Sequence, residues 1–101
     1  MENKKTGVEI IAEERKRQVE KEGWTADHDA EHDKGELAVA AACYAVYHTD
    51  ASVEYPRDVE NGWPWAQYYW RPSDSIRNLA KAGALIAAEI DRIQNRTHDP
   101  H

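Results

Sequence analysis

Between Asp27 and Glu36 the chain gathers Asp27, His28, Asp29, Glu31, His32, Asp33 and Glu36 into ten residues. Carboxylate oxygens suit a hard cation such as Mg2+ or Mn2+, and imidazole beside carboxylate suits zinc. Two readings of the stretch stay open. On a helix, His28, His32 and Glu36 fall at i, i+4 and i+8, one face, with Asp29 and Asp33 beside them. Glu9, Glu13 or Glu14 from an earlier helix could then complete a metal shell. In a loop, Asp33 becomes the N-cap of the next helix and Glu36 the partner in a capping box, so the two acids only start a helix. Gly35 weakens a continuous helix by roughly 1 kcal/mol relative to alanine. The histidines also have a structural reading, bonding loop carbonyls and Trp24.

A second concentration of chemistry runs from Trp63 to Pro72, WPWAQYYWRP. Trp63, Trp65, Tyr68, Tyr69 and Trp70 could wall a site for a nucleobase, each stacked base contributing on the order of 1–3 kcal/mol. Arg71, Arg77 and Lys81 follow and could meet phosphates as charge-assisted donors. The competing reading makes the rings a small core over a neighbouring helix, or a dimer seam. Cys43 lies in an apolar run with no activating base nearby and reads as packing. A Gly-rich phosphate loop, a nucleophile elbow and a CxxC pair are all missing, which disfavours several large enzyme classes.

The chain has 101 residues, enough for one domain but near the size at which three helices often need a second copy to finish the core. A net charge of −6 repels nucleic-acid backbones, so nucleic-acid binding is disfavoured. One cysteine cannot form an internal bridge and suits a reducing compartment. No apolar run approaches membrane-spanning length and no signal-peptide pattern opens the chain, so a cytoplasmic protein without a membrane partner is expected. Four Trp and five Tyr with no Phe favour rings that keep a polar edge wet.

These residues must be positioned by helices. Met1 to Lys5 reads as a flexible start, residues 6–95 as one helical domain and residues 96–101 as a flexible tail. Thr6 and Glu9 have capping-box spacing. Val8, Ile11, Ala12, Arg15 and Val19 mark a thin apolar stripe on an otherwise charged surface helix. Gly23 supplies its left-handed stop, with Trp24 expected to pack back on Val19. Leu37 to His48 is apolar on most sides and reads as a central helix covered by several neighbours. Thr49 to Asn61 reads as a polar connector, closed by the turn dipeptide Asn61-Gly62. Ser73 or Ser75 can cap a last helix, on which Ile76, Leu79, Ala80, Gly83, Ile86, Ala87, Ile90 and Ile93 share a face expected to meet the central helix. Sustained period-two alternation is absent, so the expected fold is all-α: a small three- to four-helix bundle completed by oligomerisation.

The segments IAEERKRQVEKEGWTADHDAEH, GELAVAAACYA, WPW and RNLAKAGALIAAEIDRI together resemble a family of small phage and prophage proteins. They share the order EGWT, HD, GELA, WPW and KAGALI over most of the chain. That resemblance implies a helical fold and a phage accessory role, in the cytoplasm of an infected or lysogenic host. A more distant similarity is to the MazG-like all-α nucleotide pyrophosphohydrolases, Mg2+-dependent helical oligomers with an acidic EExxE helix and a later ExxD helix. Here Glu13-Glu14 begins the first pattern, Arg17 stands at its last acid, and Glu89 is followed by Asp91.

The combined expectation is a nucleotide-binding helical protein. As a Mg2+-dependent pyrophosphohydrolase it would hold the ion with Glu13, Asp29, His32 and Glu36, use Glu36 and His32 on the attacking water, and grip its ligand with Trp63, Trp65, Tyr68, Arg71, Arg77 and Lys81. As a counter-defence protein it would sequester a host nucleotide signal with the same rings and cations and no chemistry. A third reading is an acidic inhibitor of a host protein.

Overall fold

The computed structural model describes residues 4–47 and 63–97, which form helices α1 (Gly7–Glu22), α2 (Ala26–Ala30), α3 (Glu36–Tyr47) and α4 (Ser75–Thr97), with a single 3₁₀ turn at Gln67–Tyr69. The fold is all-α, with no strand among the described residues. No helix among them is long and apolar enough to cross a membrane. The expected connector over Thr49 to Asn61 and the Asn61-Gly62 turn lie outside the described residues. So does the end of the expected tail, although α4 continues past Asn95 to Thr97.

α1 starts and stops where its sequence dictates. Glu9 N–H donates to the Thr6 hydroxyl at 3.2 Å while Thr6 N–H donates to the Glu9 carboxylate at 2.7 Å, closing the capping box. Gly23, at φ 76°, ends the helix in the left-handed region that glycine enters without a Cβ penalty. The buried face differs from the stripe of Val8, Ile11, Ala12, Arg15 and Val19. Val8 is 78% exposed, and the buried residues of α1 are Glu14 and Gln18. With Ile11 they sit three and four residues apart, on the side that packs against α4.

The acidic segment is neither a continuous helix nor the expected cap. Thr25 caps the one-turn α2, its hydroxyl accepting from His28 N–H at 3.4 Å. The chain then turns through Glu31 to Gly35, which adopts φ 88°. α3 begins three residues after Asp33, so Asp33 is not its N-cap; Glu36 reaches back to the Lys34 N–H at 2.8 Å.

The central helix is α4 rather than α3. It packs against α1, α2 and α3 in turn, and its closest partner is α3. Their seam joins Leu37, Ala40, Ala41 and Tyr44 to Ala82, Leu85 and Ala88. Alanines on both sides let the helices approach closely. α3 is covered on this side, while Val39 and Tyr47 remain exposed. The isoleucine face of α4 therefore does not meet α3: Ile76, Leu79, Ile86, Ile90 and Ile93 point outward. Gly83 contacts α1 instead, where a Cβ would lie 2.6 Å from Ile11 Cδ1. α4 is capped by Asp74, whose carboxylate accepts from Arg77 N–H at 2.8 Å, and neither Ser73 nor Ser75 does so. Ser73 is tied to Asn78 by two bonds, of 2.6 and 2.9 Å. Trp63, Trp65 and Trp70 close the end of the seam as half-buried rings.

Candidate functional site

The left-handed stop at Gly23 turns Trp24 back across α2, where its ring lies parallel to His28 at 6.0 Å between centroids. His28 meets His32 edge-on at 4.9 Å, and His32 meets Trp65 at 5.2 Å. The histidine segment and the tryptophan segment, far apart in sequence, are thus ring to ring. They line a cavity of about 430 Å3 together with Glu22, Ala66 and Tyr69. Asp29 braces it from below: its buried carboxylate accepts from Arg15 at 2.8 Å and lies 3.2 Å from His28 Nδ1. Asp29, itself held by Arg15, thereby fixes the plane of the His28 ring and hence the wall it forms with Trp24.

A second groove of about 230 Å3 shares Glu22, Trp24 and Tyr69 with the first. Its other walls are Glu14, Arg17, Gln18, Tyr44, Tyr68, Arg71, Lys81 and Leu85. Glu14 is buried and accepts from Arg17 Nη2 at 2.8 Å and from Arg77 Nε at 3.0 Å. Arg17 also donates to Glu22 at 3.0 Å; its hydrogen bonds to Glu14 and then Glu22 raise its pKa. Lys81 donates to the Arg71 carbonyl and sits 5.4 Å from the Tyr44 ring centre. Burial, and then the neighbouring Arg77 charge, lower its pKa from the ordinary lysine value. The Arg71 guanidinium lies over Tyr68 at 5.0 Å, and Arg71 N–H donates to the Tyr44 hydroxyl at 3.2 Å. That hydroxyl is held protonated chiefly by burial.

Two polar atoms in these walls are left over. Gln18 Oε1 and Trp65 Nε1 are buried with no hydrogen-bond partner among the described residues. Each such group costs on the order of 1–3 kcal/mol, so a native fold keeps few without a use for them.

The expected site residues divide accordingly. Trp65, His32, Tyr68, Arg71 and Lys81 line the two cavities. Trp63 does not line either; it packs on Tyr44 and Trp70 at 5.6 and 4.9 Å and donates its indole N–H to the Ala66 carbonyl, as the small-core reading expected. Arg77 stands behind the groove, holding Glu14. The four acids and histidines expected to share a metal do not converge. Glu13 is on the outer surface, paired with Lys5 at 2.7 Å. Asp29 is taken by Arg15. Glu36 is turned to the Lys34 N–H, which lowers its pKa most, and is 3.9 Å from His32. Among the described residues no three His, Cys, Asp or Glu side chains are gathered in a way that could hold a metal. The Asp27 side chain lies outside the described residues. These donors therefore do not fit a protein-built Mg2+ shell.

Sequence reasoning missed Arg17, Gln18, Glu22 and Trp24 as site residues. A signal for Gln18 was available: from Ile11 the spacing of three and four continues to Glu14 and Gln18, which puts polar side chains on a packed face. Trp24 was assigned to a helix stop, and its role in the wall depends on the folding of α2. The two positions that depart from the pyrophosphohydrolase pattern are both arginines with a structural task. Arg17 forks onto Glu14, and Arg92, three residues after Glu89, forks onto Glu89 at 2.8 and 2.9 Å. No family model, curated protein or solved structure matches the chain.

Proposed function

We propose that the chain binds a nucleotide across the two adjoining cavities and sequesters it without turnover, the role a phage counter-defence protein would need. The observation that carries this reading is the junction. A ring-lined cavity, walled by Trp24, His28, His32, Trp65 and Tyr69, shares Glu22, Trp24 and Tyr69 with a groove holding Arg17, Arg71 and Lys81. A flat aromatic base and a phosphate group need just such neighbours: π faces on one side, fixed cations on the other. Trp65 borders the first cavity and Gln18 the second, and each keeps a buried polar atom without a partner among the described residues. The reading of binding without hydrolysis is supported by the acids: Glu13, Glu14, Asp29 and Glu89 are each occupied by a basic side chain and are not free to activate water.

One contact favours the hydrolytic alternative. His32 faces the ring-lined cavity with the Glu36 carboxylate 3.9 Å from its Nδ1, the order of a base and its orienting carboxylate. The two readings separate in one experiment. The purified protein is screened by thermal shift against nucleotides, cyclic ones included, with and without Mg2+, and each stabilising ligand is then chromatographed. A ligand at a hundred times its dissociation constant adds roughly 2.7 kcal/mol of stability. Intact ligand supports sequestration; conversion to monophosphate and pyrophosphate moves the assignment to hydrolysis through His32 and Glu36. Lack of any shift rejects both and leaves the cavities to a host protein or another ligand.

A further inference from the structure

α4 carries a second apolar face that the described chain leaves bare. Ile76, Leu79, Gly83, Ile86, Ile90 and Ile93 alternate at spacings of three and four, and their five side chains are 43 to 66% exposed. At about 100° per residue this ridge lies across the helix from Lys81, Leu85 and Ala88, which face the groove and the core. Alternating threes and fours are the pattern by which two helices interlock side by side.

We propose that this ridge is the interface of a homodimer in which α4 of one copy packs antiparallel on α4 of a second. The chain's charge argues for the location. At −6, two copies repel, yet the ridge is flanked by Ala80 and Ala87, and Glu89 beside it is neutralised by Arg92 at 2.8 Å. Shape argues for the direction. The ridge is interrupted at Gly83, where Ile11 of α1 takes the place a side chain would occupy. Antiparallel pairing sets Ile76 against Ile93 and Leu79 against Ile90 and offsets the two interruptions, whereas parallel pairing would lay one on the other. The contact is isologous and closes as a pair. Area argues for the partner. Five half-exposed aliphatic side chains make a patch of a few hundred Å2, large for a monomer of this size. With Ile11 and the neighbouring alanines, two such patches approach the roughly 1,000 Å2 that a specific interface needs. Residues 48–62 offer only Val53 and Val59 as branched aliphatics, too few to match the ridge. Because the ridge and the groove lie on opposite sides of α4, each copy keeps its own cavities, and the inference stands whether or not they take a nucleotide.

The test is the mass of the full chain by sedimentation equilibrium, with Ile86→Glu, Ile90→Glu and, as a control on exposed α3, Val39→Glu. The wild type and Val39→Glu should be dimers. Ile86→Glu and Ile90→Glu should be monomers with unchanged helical circular dichroism, since both positions are already exposed. For the direction, a mixture of Ile76→Cys and Ile93→Cys chains should form crossed disulfides. Ile76→Cys alone should not, its two copies standing about 25 Å apart. A monomeric wild type overturns the proposal, and one whose Ile90→Cys variant resists a maleimide assigns the ridge to residues 48–62 instead. A dimer that survives both glutamates also overturns it, and self-crosslinked Ile76→Cys overturns the antiparallel arrangement.

Discussion

The two sides of α4 that meet other helices are made of opposite materials. Toward α3 the contact is alanine on alanine around Leu37 and Leu85, neither of which retains any exposed surface. Toward α1 the contact buries Glu14 and Gln18 and surrounds them with Arg17, Arg77 and Lys81. Burying apolar surface stabilises at roughly 25 cal/mol per Å2, while burying a polar group costs free energy unless it finds a partner. The α3 side is what a sequence selected for stability produces. The α1 side is costly to fold, and one of its buried acceptors has no partner among the described residues. The proposed binding reading rests on this difference, because the α1 side costs free energy that the α3 side does not.

The largest effect should come from the apolar side. Leu37→Ala removes a fully buried side chain between two helices whose alanines cannot collapse further, and should cost about 2–5 kcal/mol in urea unfolding. A loss below about 1 kcal/mol would mean that the alanine seam is not the main source of stability. Glu14→Ala comes next. It strands two guanidiniums, but the Arg17 and Arg77 side chains are 33% and 42% exposed and can turn to water. The cost should therefore be about 1–2 kcal/mol, under the 3–5 typical of a fully buried pair. If Glu14→Ala proves as damaging as Leu37→Ala, the polar wall is structural and the contrast between the two sides fails.

Gln18→Met should go the other way. Methionine matches the unbranched shape of glutamine and abandons the unpartnered oxygen, so the variant should gain on the order of 1 kcal/mol, read as a higher Tm. Its affinity for the stabilising nucleotide should fall in the same preparation. Gain of stability with loss of binding is the signature of a group kept for its ligand. A stable variant that binds as well as the wild type would remove Gln18 from the site.

How much of this was legible beforehand depends on whether the determinant is local. Thr6, Glu9 and Gly23 act within one turn of themselves, and the sequence placed both ends of α1. The all-α class followed from periodicity for the same reason. Neither reading of the Asp27–Glu36 stretch gives its structure, because Gly35, free to take φ 88°, lets the chain turn late and begin α3 at Glu36. The isoleucines of α4 were assigned to the core because a helical period marks faces without saying which one a neighbour covers. Alanine carried the seam instead, since closeness of approach outweighed side-chain size. In the site, Trp65 and His32 were identified individually, but their meeting at 5.2 Å rests on how residues 63–70 fold back over α3. The four expected metal donors stand apart because each acid meets another partner: Lys5 pairs with Glu13, Arg15 reaches Asp29 from fourteen residues away, and the Lys34 N–H takes Glu36, and only the last of these contacts is local enough to read from sequence.

The smallest effect extends the contrast to pH. Glu89 accepts two hydrogen bonds from Arg92, at 2.8 and 2.9 Å, and that contact holds its pKa below the ordinary value of 4.5. A carboxyl whose pKa is depressed in the folded state stabilises fully above its unfolded value and loses that contribution as pH falls through the folded one. Arg92 is largely buried, but glutamine still offers it an acceptor, so Glu89→Gln should cost on the order of 1 kcal/mol or less at pH 7. Below pH 4.5 its stability should converge on that of the wild type. Glu36, lowered by the Lys34 N–H, acts in the same direction, so Glu89→Gln should flatten the acid limb without abolishing it. Urea midpoints of the two proteins from pH 7 to pH 3 measure this. Parallel curves would mean that Glu89 binds its proton equally in both states, and that the Arg92 fork adds nothing to stability.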